Sequence, residues 1–370
     1  MRVGVILKEL FLKYKLNNMS LSDKISQMFI IDYRNLFEID NSLESILSKY
    51  NVGGFILFKS NINNFNQTYK LINDIKKIGN ISPFICVDQE GGRVQRLDKN
   101  VGFEKYPSMY DIGTRNDSEF AFELGIKMGR ELKSIGVDVN MAPVLDIFSN
   151  CNNTVIADRS FGSDYDIVNK NAFSYAEGLK KQNIIAIGKH FPGHGDTFVD
   201  SHCDLPVVYK TLDELKNLEL MPFYEAVNKK MDGLMIGHII ITNVSKDFVP
   251  SSLSNKVINE LLIKEMGYNG VIITDSLKMK SLSKYYSFND IYCMSVLAGN
   301  DLLLMPHNMN DAFETIYRYV NNGKISEDRI DNSVYKILSL KFDYGFFDYE
   351  YNNFLNYRKD NLKIKQLKID

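Results

Sequence analysis

Short apolar segments recur along the chain, and most of them are separated by segments with helical periodicity. Eight apolar segments are candidate strands: residues 28–31, 52–58, 84–88, 137–143, 184–190, 233–238, 270–275 and 301–306. Each is nearly continuous rather than alternating, which is typical of parallel strands that are covered on both faces. The pattern therefore predicts a parallel sheet of eight strands.

Three of the intervening segments carry clear helix signals. Residues 117–135 place Leu124, Met128 and Leu132 on one face, and residues 257–266 behave alike. A third helix is predicted to begin after Ser326, an N-cap residue, and to run towards Gly345. Alternating strands and helices predict an α/β protein. A single (β/α)8 TIM-type barrel, with irregularity allowed in its first strands, is favoured over a doubly wound sheet.

The hydrophobic pattern also predicts the domain organisation. We expect one barrel domain over residues 1–345, followed by a tail over residues 346–370 that is rich in Tyr, Asn and Lys. The tail is expected to be either poorly ordered or packed along the surface.

Composition narrows the classes of function. Of the 370 residues, 45% are hydrophobic and 24% are charged, and the net charge is −2, which gives no electrostatic basis for binding nucleic acid. No segment approaches the roughly 18 apolar residues of a membrane span, and the apolar run at residues 3–7 is too short for a secretory signal. We therefore expect a cytoplasmic protein that binds neither nucleic acid nor a membrane, and for which a monomer is adequate.

Polar residues stand where four candidate strands end. They are Asp88, the pair Lys189 and His190, His238, and Asp275. In a barrel these positions converge on the C-terminal rim, where active sites form. Independent strands thus direct polar groups to one place, and this convergence predicts an active site there.

Residues 189–202 hold three of the five histidines together with two glycines and a proline, which predicts a loop that carries proton-transfer or ligand chemistry. Within it, Asp200 and His202 are separated by one residue. A neighbouring carboxylate stabilises the imidazolium form, so His202 could donate a proton near neutral pH and take one back. Simple solvation of both residues is the alternative.

Metal binding is a more specific alternative function for the same loop. Its His and Asp side chains are numerous enough to hold zinc: His190, His194, Asp196, Asp200 and His202. The chain lacks a helical HExxH spacing, however, and Lys189 would bring a positive charge beside the cation. We therefore expect no metal.

Two other segments carry candidate chemistry. Asp275 directly follows an apolar strand, a position that suits a nucleophile, although a helix N-cap is the ordinary alternative. Gly91 and Gly92 permit a turn that returns Asp88 and Arg96 to the same rim, where they could bind the hydroxyls of a polar ligand. An internal ion pair is the alternative for them, and Arg159 allows the same two interpretations.

These residues together resemble a known family over nearly the whole chain. Lys189-His190-Phe191-Pro192-Gly193-His194-Gly195, followed by Asp200-Ser201-His202, resembles the signature of glycoside hydrolase family 3, in its bacterial β-N-acetylglucosaminidase branch. Supporting segments are residues 88–96, 141–146, 159–162, 274–279 and 298–301.

The resemblance implies a single barrel that removes terminal β-linked N-acetylglucosamine with retention of configuration, without metal or organic cofactor. It implies that Asp275 is the nucleophile and that His202 is the acid/base with Asp200 as its partner. Residues implied in binding the sugar are Asp88, Arg96, Arg159, Lys189 and His190. We further expect that His202 enters the site only when its loop closes.

The sequence departs from the family at one position and leaves several questions open. Ser276 follows the nucleophile where the family often has a second Asp. A metal-dependent barrel hydrolase, a noncatalytic sugar-binding barrel and a phosphorylase of the same family remain as alternatives. The substrate is expected to be a muropeptide or a chito-oligosaccharide, and the expected role is the turnover of cell-wall fragments.

Overall fold

The computed structural model describes residues 2–197, 205–244 and 248–356. Eight parallel strands form its main sheet: β1 Phe29–Ile31, β2 Gly54–Leu57, β3 Phe84–Val87, β4 Val139–Asn140, β5 Ile185–Phe191, β6 Gly233–Ile236, β7 Val271–Thr274 and β8 Leu303–Leu304. Seven of them lie within the predicted segments, and β5 extends one residue beyond its segment, to Phe191.

The sheet closes into a barrel. Its strands neighbour one another in chain order, and β8 pairs with β1 through Phe29 and Leu303. A parallel bridge between Ile273 and Leu302 joins β7 to the residue before β8. The predicted (β/α)8 barrel is therefore confirmed, and the doubly wound sheet is wrong because such a sheet has two open edges.

Helices surround the barrel: α1 Arg2–Asn17, α2 Leu21–Gln27, α3 Asn41–Lys49, α4 Phe65–Lys77, α5 Met109–Arg115, α6 Ser118–Ser134, α7 Tyr165–Lys181, α8 Leu212–Lys216, α9 Met221–Asn228, a π-type helix at Lys256–Glu265, α10 Lys280–Ser283, α11 Phe288–Ala298, α12 Met309–Asn321 and α13 Glu327–Asp343. Short 3-10 helices lie at Lys59–Asn61, Lys99–Val101, Ala157–Arg159 and Ser251–Leu253. Two further strand pairs lie outside the barrel: Gln89–Gly91 with Val94–Gln95, and Val207–Val208 with Ile240–Ile241.

The three predicted helices are present at the expected places. Asp117 caps α6 by accepting hydrogen bonds from two backbone N–H groups, and Gly136 follows the helix with a φ of 90°, a conformation that favours glycine. Ser326 caps α13 by accepting a hydrogen bond from the backbone N–H of Arg329. The helix predicted at residues 257–266 is present at Lys256–Glu265, but with π-type rather than α-type hydrogen bonding.

The barrel strands are buried along their whole length, as the continuous apolar pattern predicts. Leu, Ile and Val side chains of the strands join those of the surrounding helices in one continuous core. Each such side chain contributes roughly 1.5–3 kcal/mol when it is fully buried. The rigid barrel that results fixes the positions of the loops that follow its strands.

The two ends of the described chain pack against each other outside the barrel. Residues 348–356 are helical, and the ring of Phe11 in α1 lies 5.3 Å from that of Tyr351 and 5.5 Å from that of Phe354. This part of the tail is thus packed along the surface, whereas residues 357–370 lie outside the described residues. The division at residue 345 stays a prediction. Among the described helices, none combines the length and apolar character that crossing a bilayer requires.

Candidate active site

A cavity of about 510 Å³ opens at the carboxyl ends of the barrel strands. Its walls contain all of the described residues that the sequence predicts as a nucleophile or as sugar ligands: Asp88, Arg96, Arg159, Lys189, His190 and Asp275. These residues belong to the carboxyl ends of four different strands or to the loops that follow them, so the barrel brings them together as the strand-end pattern predicts. Their individual roles stay predictions.

Asp275 stands directly after β7 and is held by its backbone. Its N–H donates to the carbonyl of Ile236, 2.9 Å away, and its Oδ1 accepts from the N–H of Ser276 at 2.6 Å. The next helix, α10, begins at Lys280 and has Met279 at its N-cap position. Asp275 therefore caps no α-helix, and its partly exposed carboxylate remains available in the cavity.

The surroundings of Asp275 favour its ionised form. Burial by itself would raise the pKa of this carboxyl group, but electrostatic interactions with His238 and His190 and the hydrogen bond from the backbone N–H of Ser276 outweigh burial and lower the pKa below its ordinary value. Lys189 acts in the same direction. A carboxylate that stays ionised near neutral pH is what a nucleophile requires.

His238 supports the segment that carries Asp275. Its ring is buried, with Nε2 lying 3.0 Å from the carbonyl oxygen of Ser276 and Nδ1 lying 2.7 Å from Oγ of Ser252. Because a carbonyl only accepts hydrogen bonds, Nε2 must carry the proton and donate it to Ser276. His238 thus fixes the backbone immediately after Asp275.

Two carboxylates and three cations form one network along the cavity wall. Asp88 accepts from Arg96 at 3.0 Å and from Lys189 at 3.1 Å. Lys189 also pairs with Glu90 at 2.5 Å, and Arg159 donates to both oxygens of Glu90 at 2.8 Å. The internal ion pairs that the sequence left as an alternative are therefore present, and they lie within the cavity rather than away from it.

The network holds its acids ionised. Burial would raise the pKa of Asp88 and of Glu90, but the adjacent cations outweigh it. Lys189 and Arg96 hold the pKa of Asp88 well below its usual range, while Arg159 and Lys189 lower the pKa of Glu90 to about 2. At neutral pH these carboxylates accept hydrogen bonds and cannot donate a proton.

The network also presents a free donor. Nε of Arg96 is buried and has no hydrogen-bond partner in the described part of the chain. A buried donor of this kind is costly to leave unsatisfied, so a ligand hydroxyl that accepts from Arg96 would be favoured. The cavity wall is thus suited to a small polyhydroxylated ligand.

Asp146 organises the beginning of the histidine-rich loop. Its carboxylate lies 2.7 Å from Nδ1 of His190 and accepts from the backbone N–H of His194 at 2.6 Å. A Cβ at Gly195 would lie 1.6 Å from the carbonyl oxygen of Ile147, so only glycine fits there. Through these contacts Asp146 fixes the backbone at the beginning of the loop.

His194 lines the cavity but is not suited to carry a positive charge. Its burial, together with the electrostatic interaction with the neighbouring His190, lowers its pKa to about 4, although Asp146 acts in the opposite direction. Its Nδ1 lies 2.7 Å from Oγ1 of Thr197. At neutral pH His194 is therefore a neutral hydrogen-bonding residue and not an acid.

The predicted acid/base pair, Asp200 and His202, lies outside the described residues, and so does the predicted loop closure. Among the residues that the structure describes, no group of three or more His, Cys, Asp and Glu side chains is placed to bind a metal ion. Because Asp200 and His202 fall outside that set, the absence of a metal stays a prediction.

Glu90 is the main site residue that the sequence did not single out. It lies in the short strand Gln89–Gly91, two residues after Asp88, and it contacts both Lys189 and Arg159. Its place in the sequence, after a buried strand and directly before the glycine pair, could have indicated that Glu90 belongs to the site. A charged residue there faces the rim.

Comparisons with known proteins agree with this geometry. Residues 20–340 match the family model described as the Glycosyl hydrolase family 3 N terminal domain. A "Beta-hexosaminidase" of Haemophilus influenzae (strain PittEE) is 33% identical over 297 residues, which cover 79% of this chain and 82% of the relative. A "Beta-hexosaminidase A" of Pseudoalteromonas piscicida is 31% identical over 327 residues, covering 81% of this chain.

Among solved structures, a glycoside hydrolase family 3 beta-N-acetylglucosaminidase from Paenibacillus sp. str. FPU-7 superposes with a TM-score of 0.85 at 35% identity and covers 89% of this chain. The chain spans 63% of that protein and 54% of the Pseudoalteromonas relative. The likeness therefore covers the barrel and leaves other parts of those longer proteins unmatched.

Proposed function

Because the chain belongs to glycosyl hydrolase family 3, we propose that it is a β-N-acetylglucosaminidase that removes terminal β-linked N-acetylglucosamine with retention of configuration. The observation that carries this proposal is the single cavity in which an ionised Asp275 faces the Asp88, Lys189, Glu90 and Arg159 network. The names of the Haemophilus and Paenibacillus relatives support the choice of sugar.

The proposed reaction has two steps. Asp275 attacks the anomeric carbon, the bond to the leaving oxygen breaks, and the imidazolium of His202 gives its proton to that oxygen. Neutral His202 then takes a proton from water, which attacks the anomeric carbon and releases Asp275. Two inversions give net retention, and Asp200 stabilises the protonated form of His202.

The remaining site residues are proposed to bind the sugar in the first subsite. Asp88 accepts from hydroxyl groups, while Arg96, Arg159 and Lys189 donate to hydroxyl oxygens, and His190 lines the same wall. Cations and carboxylates that already neutralise one another are suited to an uncharged sugar. They present strong donors and acceptors without requiring charge on the ligand.

The proposal is tested by comparing an aryl β-N-acetylglucosaminide with the corresponding aryl β-glucoside, each with and without inorganic phosphate. We expect hydrolysis of the N-acetylglucosaminide with β-N-acetylglucosamine as the first product and no requirement for phosphate. Preference for the glucoside would overturn the choice of sugar. Phosphate-dependent formation of a sugar 1-phosphate would favour the phosphorylase alternative, and loss of activity with a chelator would favour the metal-dependent one.

We propose a cytoplasmic, monomeric enzyme without cofactor that acts in the turnover of cell-wall fragments. The candidate substrates, muropeptides and chito-oligosaccharides, both end in a neutral N-acetylglucosamine and differ in the group that is released. Release of N-acetylglucosamine from purified cell-wall fragments and from chitobiose distinguishes them directly.

A further inference from the structure

A buried carboxylate lies directly against the histidine-rich loop, outside the wall that is proposed to bind the sugar. Glu219 stands between α8 and α9, and its side chain is 1% exposed. It packs against the beginning of the loop, since a Cβ at Gly193 would lie 2.9 Å from Cβ of Glu219. Glu219 therefore contacts the loop close to the point where the chain leaves β5.

The charge of Glu219 is compensated through one of its two oxygens. Oε1 pairs with Nζ of Lys210 at 2.5 Å and accepts from Oγ of Ser149, in the loop after β4, at 3.1 Å. The buried Oε2 has no hydrogen-bond partner among the described residues. Because a buried carboxylate is costly without a counterion, Glu219 holds the ammonium of Lys210 beside it.

Lys210 remains positively charged in this position. Burial by itself would lower its pKa, but Glu219 and Asp196 outweigh burial and raise the pKa above its ordinary value. The Nζ of Lys210 lies 3.3 Å from Oδ2 of Asp196, a residue of the histidine-rich loop. One ammonium group thus joins a buried carboxylate to a carboxylate of the loop.

The ion pair between Asp196 and Lys210 joins the two ends of the segment that contains the proposed acid/base. Asp196 is on the outgoing side of that segment, and Lys210 is on the returning side, directly before Thr211, the N-cap of α8. Asp200 and His202 lie between them in the sequence. A contact between the two ends reduces the number of conformations that the intervening chain can adopt.

Both ends are also attached to neighbouring parts of the protein. On the outgoing side, the backbone N–H of Asn150 donates to the carbonyl of Gly195 at 3.2 Å, and its side chain donates to the carbonyl of Thr197 at 3.3 Å. On the returning side, the short strand Val207–Val208 pairs with the strand Ile240–Ile241. The ion pair therefore connects two ends that already have defined positions.

We propose that Asp196, Lys210 and Glu219, which we call the loop anchor, position His202 for proton transfer. The inference rests on the proposed function, in which His202 gives a proton to the leaving oxygen. Glu219 holds Lys210, Lys210 holds Asp196, and Asp196 lies six residues before His202 in the chain. General acid catalysis requires the donor to lie within hydrogen-bond distance of the leaving oxygen, so a small displacement lowers the rate.

The test measures how strongly cleavage depends on an acid. The value of kcat/KM is determined for an alkyl β-N-acetylglucosaminide, whose leaving oxygen needs a proton, and for the dinitrophenyl glycoside, whose leaving oxygen does not. The alkyl-to-dinitrophenyl ratio is compared between the native protein, Asp196→Asn and Lys210→Gln. Asp196→Asn keeps Glu219 paired with Lys210, so this variant preserves the buried ion pair if Lys210→Gln fails to fold.

Lys216→Gln is the matched control. Lys216 lies in α8 and forms an ion pair with Glu265, and its side chain is 32% exposed, close to the 27% of Lys210. The control therefore removes a lysine of the same chemistry and similar exposure that makes no ion pair with the histidine-rich loop within the described residues.

We expect Asp196→Asn and Lys210→Gln to lower the ratio about ten-fold, as a part of the roughly 10²-fold effect of removing the acid altogether. The loss falls on kcat for the alkyl glycoside and leaves its KM unchanged, because the residues that bind the sugar are intact. Lys216→Gln keeps the native ratio.

The same measurement in a His202→Ala background shows whether the loop anchor acts through His202. Once the acid is gone, Asp196→Asn should lower the ratio no further, so the two changes are non-additive. A loss of equal size with and without His202, or a native ratio in both Asp196→Asn and Lys210→Gln, would overturn the inference and leave the proposed function standing. If the folded native protein cleaves neither glycoside, the proposed function fails and this inference fails with it.

Discussion

Arg159 donates two hydrogen bonds of 2.8 Å, one to each carboxylate oxygen of Glu90, although the two residues are 69 positions apart in the chain. The Glu90 side chain is 1% exposed and also pairs with Lys189. The contact joins the loop after β3, which carries Glu90, to the loop after β4, which carries Arg159. The ion pair between Glu90 and Lys189 connects the same site to β5. The geometry of the cavity wall therefore depends on a carboxylate that is not itself among the predicted sugar ligands.

Glu90→Gln is expected to destabilise the protein by about 3 kcal/mol, because it leaves the buried cations Arg159 and Lys189 with too little negative charge. The free energy of unfolding from urea titrations measures the change. Glu123→Gln, an exposed substitution on α6, is the control and should change stability by less than about 0.5 kcal/mol. Equal stability of the two variants would contradict the role of Glu90 in the network.

The pKa of Glu90 also predicts how stability depends on acid. Burial opposes the shift, but Arg159 and Lys189 lower the pKa from 4.5 to about 2. The folded state therefore binds fewer protons than the unfolded state between pH 4.5 and pH 2, and the stabilisation is lost as pH falls through this window. The loss attributable to Glu90 is about 3 kcal/mol. Urea titrations between pH 5 and pH 2 should show a steeper decline in the native protein than in Glu90→Gln.

Lys341 predicts a second pH dependence, of the same sign but in the alkaline range. Its ammonium is buried beneath the barrel, donates to Gln27 and to the carbonyl of Ser82 at 2.9 Å, and burial lowers its pKa to about 7 against the opposing influence of Asp138 and Cys86. Above pH 7 the folded amine has released a proton that the unfolded chain still binds, so stability rises with pH.

We therefore expect the free energy of unfolding to rise by roughly 3 kcal/mol between about pH 7 and pH 9.5, and this rise to be absent from Lys341→Met. Urea titrations of both proteins across this range make the comparison. A parallel rise in the native protein and the variant would show that other groups cause it. Lys133→Gln, which removes an exposed lysine, should retain the rise.

His202→Ala tests the proposed acid/base. Removing a general acid costs little when the leaving group departs without a proton, so cleavage of a dinitrophenyl glycoside should be retained far better than that of an alkyl glycoside, by about 10²-fold or more. Added azide should restore turnover of the activated substrate and give a β-glycosyl azide. Ser201→Ala is the neighbouring control and should behave like the native protein. Equal losses on both substrates would place the acid elsewhere.

The barrel could be predicted from the sequence because its strands are buried on both faces and therefore read as continuous apolar segments. The helix over residues 348–356 was not predicted, since its aromatic residues become a hydrophobic face only when Phe11 of α1 covers them. The π-type hydrogen bonding at Lys256–Glu265 likewise leaves no periodic signature that separates it from an α-helix over ten residues.

The positions of Asp88, Lys189, His190 and Asp275 at the ends of apolar segments were sufficient to predict that they lie in one cavity. The carboxyl ends of parallel barrel strands all meet at the same rim. It could not reveal which charges pair. Glu90 meets Arg159 across 69 residues, and Lys278 meets Asp32 across 246. Such contacts depend on the conformation of each loop, which cannot be predicted from composition and residue spacing.

The account depends most directly on Asp275 forming a covalent bond to the sugar. A fluorinated N-acetylglucosamine derivative with an activated leaving group slows the second step more than the first, so the glycosyl-enzyme accumulates and can be located by mass spectrometry of the intact protein and its peptides. We predict one sugar per chain, attached to Asp275, and no adduct on Asp275→Ala that retains the native thermal midpoint. An adduct on another residue, or rapid turnover to the α-anomer without any adduct, would contradict the account.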